Sequence, residues 1–336
     1  EVFNQAIEIE PNFAPAYVAL GNVYMALLDY DSALGNAEIA IEIDPNLGES
    51  YVLQGLIYQE LDEYDEALEN YNLAISMYSD NAEFLLFRAD FYLKMGEHDL
   101  ALDDYDKALE IGPSNPNAYI ARGTMYYQLG ELDDALNDYD EALALNPTEE
   151  IYHNRGWVYF SMGRLNDTID EFNQAIEINP DYAEAYNGRG AAYFKIGDLN
   201  QAVLDYTTAI RLDSEFSLAY LNRGETYTQL EEYELALQDF NAALQIDSTN
   251  PNIYWDRGNI YLLTNQIDLA IADYTETIRL DPSYAQAYFN RGYLYLTAEE
   301  FLNCTLAKSD LERYLELVLN APEKAAIERK LNEACE

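Results

Sequence analysis

An all-α solenoid of tandem helix hairpins is the fold this chain predicts, on three observations. The first is a phrase of the form Tyr-x-x-Arg-Gly-x-x-Tyr, clearest at Tyr220-Leu221-Asn222-Arg223-Gly224-Glu225-Thr226-Tyr227, which recurs nearly to the end. Its glycine position falls at Gly21, Gly55, Ala89, Gly123, Gly156, Gly190, Gly224, Gly258 and Gly292, every 34 residues except for 33 between Gly123 and Gly156. A fixed period in this range marks a stacked-repeat architecture. The second is helical spacing of the apolar positions inside each period. The third is punctuation, with a Gly or polar turn in the middle of a period and a Pro near its end.

Numbering each repeat so that this glycine is slot 8, slot 4 is Tyr17, Tyr51, Leu85, Tyr119, Tyr152, Tyr186, Tyr220, Tyr254 and Tyr288, and slot 11 is Tyr from Tyr24 to Tyr295. Slot 20 is mostly Ala, as at Ala33, Ala67 and Ala236, and slot 27 runs from Ala40 to Ala243. The spacings 4-8-11 and 20-24-27 each trace one face of a helix. A turn such as Leu129-Gly130-Glu131-Leu132-Asp133 separates the two helices, and prolines such as Pro45, Pro113, Pro147 and Pro282 close the second. Each repeat is therefore expected to be an antiparallel helix pair. Gly inside a helix costs about 1 kcal/mol relative to Ala. Its recurrence at slot 8 predicts close helix contact there, with bulky Tyr slots packed against small Ala slots.

These residues resemble the tetratricopeptide repeat (TPR) family, whose pattern places an aromatic at slot 4, Gly at 8, Tyr at 11, Ala at 20, an aromatic at 24, Ala at 27 and Pro at 32. The resemblance covers nearly the whole chain. It implies a right-handed superhelical solenoid of about nine helix-turn-helix TPR units and a C-terminal capping helix. The expected organisation is one continuous solenoid: residues 1–13 as the second helix of a truncated repeat, 14–319 as nine units, and 320–336 as the cap. The start at Glu1, already inside a repeat, suggests an excised or mature segment of a longer product.

The departure from the family is slot 7, where Arg replaces the usual Leu. Slot 7 holds Arg88, Arg122, Arg155, Arg189, Arg223, Arg257 and Arg291, while slot 23 holds Asp104, Asp138, Glu171, Asp205, Asp239 and Asp273, with Asp310 if the ninth turn carries three extra residues. In the first two units slot 7 is Leu20 and Gln54, and slot 23 is Asn36 and Asn70. The two slots change together, as an ion pair between helices would require.

Pro322 is expected to open the capping helix, with Ala326, Ile327 and Leu331 on its apolar face. The two cysteines, Cys304 and Cys335, both lie in this end region. They pair as a disulfide if the protein is exported, or stay as buried thiols if it is not. The compartment stays open, with an extracytoplasmic or cell-surface setting favoured. Asn166-Asp167-Thr168 and Asn303-Cys304-Thr305 match the short glycosylation pattern.

Among 336 residues, 18 Lys and Arg stand against 62 Asp and Glu, for a net charge of -44. Phosphate binding needs clustered cations, so nucleic acid is a poor partner, as is an anionic membrane surface. Neutral or basic polypeptides fit better, and no apolar run is long enough to insert in a membrane. The two histidines, His98 and His153, join no triad or metal pattern, and no phosphate loop or calcium-loop spacing occurs. No enzyme activity, metal or cofactor is expected.

In the resembling family the first helices line a concave groove. Carried over residue by residue, that implies peptide-facing positions at Asn154, Trp157, Phe160, Asn187, Phe194, Leu221, Asn222, Trp255, Asp256, Phe289, Asn290 and Tyr293. Asn154, Asn222 and Asn290 partly resemble the asparagine ladder with which O-GlcNAc transferase superhelices hold a peptide backbone. The groove lacks the Lys and Arg of a chaperone-tail clamp. The expected function is a non-enzymatic scaffold binding a polypeptide. The alternatives are a structural subunit joining head to tail with copies of itself, and an accessory domain of a larger enzyme or secretion/assembly machine.

Overall fold

A computed structural model describes residues 2–319 and 321–335. Glu1, Asn320 and Glu336, at the edges of the expected domain boundaries, lie outside the described residues. Among the described residues the chain is helical throughout, with no strand. A short helix α1 (Val2–Ile9) is followed by α2 (Ala14–Ala26), α3 (Tyr30–Ile43), α4 (Gly48–Glu60), α5 (Tyr64–Met77), α6 (Ala82–Lys94) and α7 (His98–Ile111). Then come α8 (Pro116–Leu129), α9 (Leu132–Leu145), α10 (Glu149–Ser161), α11 (Leu165–Ile178), α12 (Ala183–Ile196) and α13 (Leu199–Leu212). The last are α14 (Ser217–Gln229), α15 (Tyr233–Ile246), α16 (Pro251–Leu263), α17 (Ile267–Leu280), α18 (Ala285–Thr297), α19 (Cys304–Leu317) and α20 (Lys324–Cys335).

Internal contacts gather the chain into two units, Glu1–Val158 and Tyr159–Glu336. In the first, α2 pairs with α3, α4 with α5, α6 with α7 and α8 with α9. In the second, α12 pairs with α13, α14 with α15, α16 with α17 and α18 with α19. In both units, first helices of successive hairpins also touch: α2 with α4, α4 with α6 and α6 with α8, then α12 with α14 and α14 with α16. A wall of first helices thus runs from α2 to α8 in the first unit and from α12 to α16 in the second.

The helix starts are set by local chemistry. Asn81, Asn115 and Asn250 cap α6, α8 and α16 by accepting from the backbone N–H two residues on, the role for which Asn is preferred. Pro116 and Pro251 occupy the first turn, where the missing N–H is not needed. The rings at slot 24 sit on the slot-8 glycines. A Cβ at Gly55 would lie 2.7 Å from Tyr71 Cε1, and one at Gly224 2.7 Å from Phe240 Cε1. Tyr71, Tyr139, Tyr206, Phe240 and Tyr274 are fully buried in this way. Most tyrosines of slots 4 and 11 are only half-buried. Tyr220 and Tyr227 pack beside the Ala236 and Ala243 cluster. The most deeply buried rings therefore belong to the second helices.

Eight hairpin turns place one residue in the left-handed region. Four use Gly96, Gly130, Gly163 and Gly197, and four use Leu28, Asp62, Glu231 and Asn265, with φ near +60°. A side chain there costs about 1–2 kcal/mol. Leu28 is 72% exposed, so its side chain gains little in return. Leu28→Gly should raise the stability of the α2–α3 hairpin by about 1 kcal/mol, after the entropy glycine adds to the unfolded chain. Urea unfolding checks it, and a loss of stability would show that the turn is unstrained.

The ninth turn takes its extra residues as a 3-10 segment, Glu299–Phe301, before Asn303 caps α19. Helix α20 packs on α19 and α18, covering Leu296, Leu311 and Tyr314 with Ala321 and Ile327. A Cys304–Cys335 disulfide ties the start of α19 to the end of α20.

Candidate functional site

The slot-7 arginines sit at the junctions between hairpins. Arg223 donates from Nε and Nη2 to both carboxylate oxygens of Asp239, each at 2.7 Å. Arg88–Asp104, Arg122–Asp138, Arg189–Asp205, Arg257–Asp273 and Arg291–Asp310 repeat the same two-pronged geometry at 2.6–2.8 Å. The aspartates are buried. The third nitrogen, Nη1, reaches back to slot 25 of the preceding hairpin: Asn72 for Arg88, Asp106 for Arg122, Asn173 for Arg189, Thr207 for Arg223, Asn241 for Arg257 and Thr275 for Arg291. Arg155, in the first unit, donates to Asp140 in this way; Glu171 is buried in the second unit. One guanidinium thus binds both helices of its own hairpin and the hairpin before it.

Sequence reading missed the slot-25 partner, although Asn, Asp or Thr stands there in all seven cases. Flanking tyrosines complete the setting, with Tyr220 and Tyr227 centred 5.7 and 5.9 Å from the Arg223 guanidinium. Burial pushes the Asp138 carboxyl up against the pull of Arg122, and nearby Asp106 adds to the rise. These arginines are committed to the frame that joins successive hairpins.

The first helices differ between the units. On α10 in the first unit, Trp157 donates from Nε1 to His153 Nε2 at 3.0 Å, with the two rings edge-to-face. Asn154 lies 3.3 Å from His153 Nδ1. In the second unit Phe160 and Phe194 are half-buried. Asn222 donates from Nδ2 to Asn187 Oδ1 at 2.9 Å. Asn187 and Leu221 are 3% and 5% exposed. These two expected contact residues are buried, Asn187 accepting from the Asn222 amide and Leu221 lying in the apolar cluster around Phe240.

On α18, Phe289 is half-buried and Tyr293 is exposed, and both rings have neighbours from the C-terminal helices. Lys330 of α20 lies over the Tyr293 ring at 4.6 Å and donates to its hydroxyl at 2.6 Å. Phe289 stacks on Tyr293 and meets Tyr314 at 5.0 Å. The capping helix and α19 engage both rings. Asn290 donates to Tyr274 Oη at 3.2 Å and to Asn259 Oδ1 at 3.4 Å, so its amide is also used internally.

Asn222 on α14 and Trp255 and Asp256 on α16 are half-buried. The Trp255 ring packs between Tyr274 and Tyr284, at 5.4 and 5.3 Å. No hydrogen bond or ion pair reaches the Asp256 carboxylate among the described residues. Burial, and then the charge of Glu225, push its pKa up to about 7. Glu225 is itself raised by burial, against the pull of Lys195. Tyr284 is raised to about 12 by burial, with the Asp256 charge adding to it. Glu225 was not singled out from sequence, although it occupies slot 9, the slot that pointed to Trp157. Among the described residues no group of three or more His, Cys, Asp or Glu is placed to hold a metal ion.

Helix hairpins stacked through a recurring motif, with first helices side by side in each unit, define a repeat scaffold. Models described as TPR repeat match residues 123–163, 156–197, 224–265 and 258–298. Models described as tetratricopeptide repeat match 52–116, 183–216 and 104–137. The chain belongs to the tetratricopeptide repeat family, a family of protein-interaction scaffolds whose members bind peptides or proteins.

Solved structures agree on the fold. The crystal structure of the APC/C hetero-tetramer Cut9–Hcn1 is similar at 18% identity and a TM-score of 0.59, over 91% of this chain and 57% of that one. This chain therefore spans little more than half the length of that relative. A structure from the functional characterization of Pseudomonas aeruginosa pilF is similar at 19% identity and a TM-score of 0.55, over 64% of this chain and 98% of that one. At these identities the likeness shows the fold alone. No curated protein matched the chain. No helix among the described residues is long and apolar enough to cross a membrane.

Proposed function

We propose that the chain is a non-enzymatic scaffold that holds a neutral or basic polypeptide against its first-helix walls. One observation carries this reading: the touching first helices α14 and α16 carry an amide, Asn222, an indole, Trp255, and a half-buried carboxylate, Asp256, for which no hydrogen bond or ion pair stands among the described residues. Asn222 spends one N–H on Asn187. Its carbonyl and second N–H suit an extended main chain, since an amide both donates and accepts. Asp256 suits a ligand N–H or ammonium group, which would offset the burial of its charge. Trp255 offers an aromatic edge of the kind that anchors many interfaces.

The head-to-tail reading is the weaker one. Helix α20 covers Leu296, Leu311 and Tyr314 at the end of the second unit, and a capping helix opposes further stacking.

Panning a random peptide library on the purified chain tests the scaffold reading. Selected peptides should bind an Asn222→Ala, Asp256→Asn variant at least tenfold more weakly, while far-ultraviolet circular dichroism stays unchanged. Equal binding by the variant would move the site off this face.

A further inference from the structure

The first unit's wall has a different chemistry from the Asn222–Asp256 face. Two hollows lie side by side in it. One, of about 180 Å³, is lined by residues of α2, α4 and α6, among them Val18, Val52, Leu56 and Phe87. The other, of about 480 Å³, lies between α6 and α8 and includes Leu86, Phe87 and Ala121. They share Phe87 and Glu83. The floors are apolar and the rims acidic, with exposed Glu49 and Glu83 and with Asp90, and neither hollow is lined by a Lys or Arg.

The surrounding charge has one sign. Residues 1–87 contain 17 Asp and Glu and no Lys, Arg or His, so Arg88 is the first cation in the chain. The first two hairpins also lack the slot-7 arginine, having Leu20 and Gln54 instead. Nothing within this stretch neutralises the rim. A field of one sign over a concave apolar surface raises the local concentration of opposite charge and steers it inward. Acidic ligands are repelled, and a purely polar basic ligand leaves the floors unfilled.

We infer that the α2–α4–α6–α8 wall docks a basic amphipathic segment of another protein, its apolar side chains in the two hollows and its lysines or arginines on Glu49, Glu83 and Asp90. This rests on the scaffold reading above and names the partner chemistry for the first unit.

The test uses the full chain and three fluorescein-labelled synthetic peptides of equal length: Leu/Lys, Ser/Lys and Leu/Glu. Fluorescence anisotropy at physiological salt gives the affinities. The Leu/Lys peptide should bind at least tenfold more tightly than Ser/Lys, and Leu/Glu should not bind. Glu49→Lys with Glu83→Lys should weaken the Leu/Lys peptide at least tenfold. The charge-matched reversal Glu42→Lys with Glu66→Lys, at exposed positions of the second helices α3 and α5, should weaken it less than threefold. Both exchanges leave the buried residues intact, and circular dichroism confirms the fold. Equal loss from the two reversals, or equal binding of Leu/Lys and Ser/Lys, overturns the inference in favour of diffuse attraction to an acidic surface. Library-selected peptides that lose affinity at Asn222 and Asp256 but ignore Glu49 and Glu83 would leave the scaffold reading standing and end this one.

Discussion

Asp239→Ala lowers the stability of the α14–α15 hairpin by about 3–5 kcal/mol, the usual effect of removing one member of a buried pair. Arg223 would keep its charge beside a site already closed to water, with side-chain exposures in the pair of 16% and 7%. The loss should spread to the preceding hairpin, because Arg223 is also held there by Thr207 at 3.0 Å. Replacing both partners with apolar residues, as in Arg223→Met with Asp239→Leu, should recover most of the loss, since desolvation of the charges disappears with them. An exposed pair makes the contrast. Arg279 and Glu276 are 61% and 41% exposed, and Glu276→Ala should cost less than about 1 kcal/mol. Hydrogen exchange resolved by helix is the measurement, since a repeat array need not unfold in one step. A cost below about 1 kcal/mol for Asp239→Ala, the range of exposed pairs, would mean that the guanidinium finds another partner.

Asp256→Asn removes a pH dependence of about 4 kcal/mol from the second unit. The Asp256 carboxyl titrates near pH 7 in the folded chain, raised by burial and by Glu225, against about 3.9 when unfolded. A raised folded pKa means that the folded state holds the proton more tightly. The stability this confers is full below about pH 4 and is lost as pH rises through about 7. The wild-type chain should therefore weaken between about pH 4 and 7 relative to the variant, and the two should converge only in acid if the amide mimics the neutral acid. Asp247 and Asp281 are lowered by bonds to Thr249 and Ser283 and act in the opposite direction. They are common to both proteins and cancel in the difference. Urea unfolding of both chains across that range checks it. Parallel curves would show that the Asp256 carboxylate is solvated. A basic ligand seated on Asp256 should release its proton near neutral pH, so binding and stability report on the same group.

Much of this architecture is legible in the amino-acid sequence, for a physical reason. A helix hairpin is local, and its period of 34 residues, its slot-8 glycines and its slot-7 and slot-23 partners lie within one repeat. The joint change from Arg and Asp to Leu20 and Asn36 exposes a contact that one hairpin makes inside itself. Even the apolar face of the cap, at Ile327, follows from helical spacing alone.

What lies between hairpins was decided only by tertiary structure. The third bond of each arginine, as from Arg257 to Asn241, depends on how one hairpin leans on the one before it. Asn187 and Leu221 are buried at the same repeat position where His153 and Trp255 stay half-buried. The docking of α20 brings Lys330 onto Tyr293 across 37 residues of chain, and no period in the sequence encodes that approach. Helical spacing sets which residues share a face. Stacking and docking decide which of those faces still meets water, and therefore which can meet a ligand.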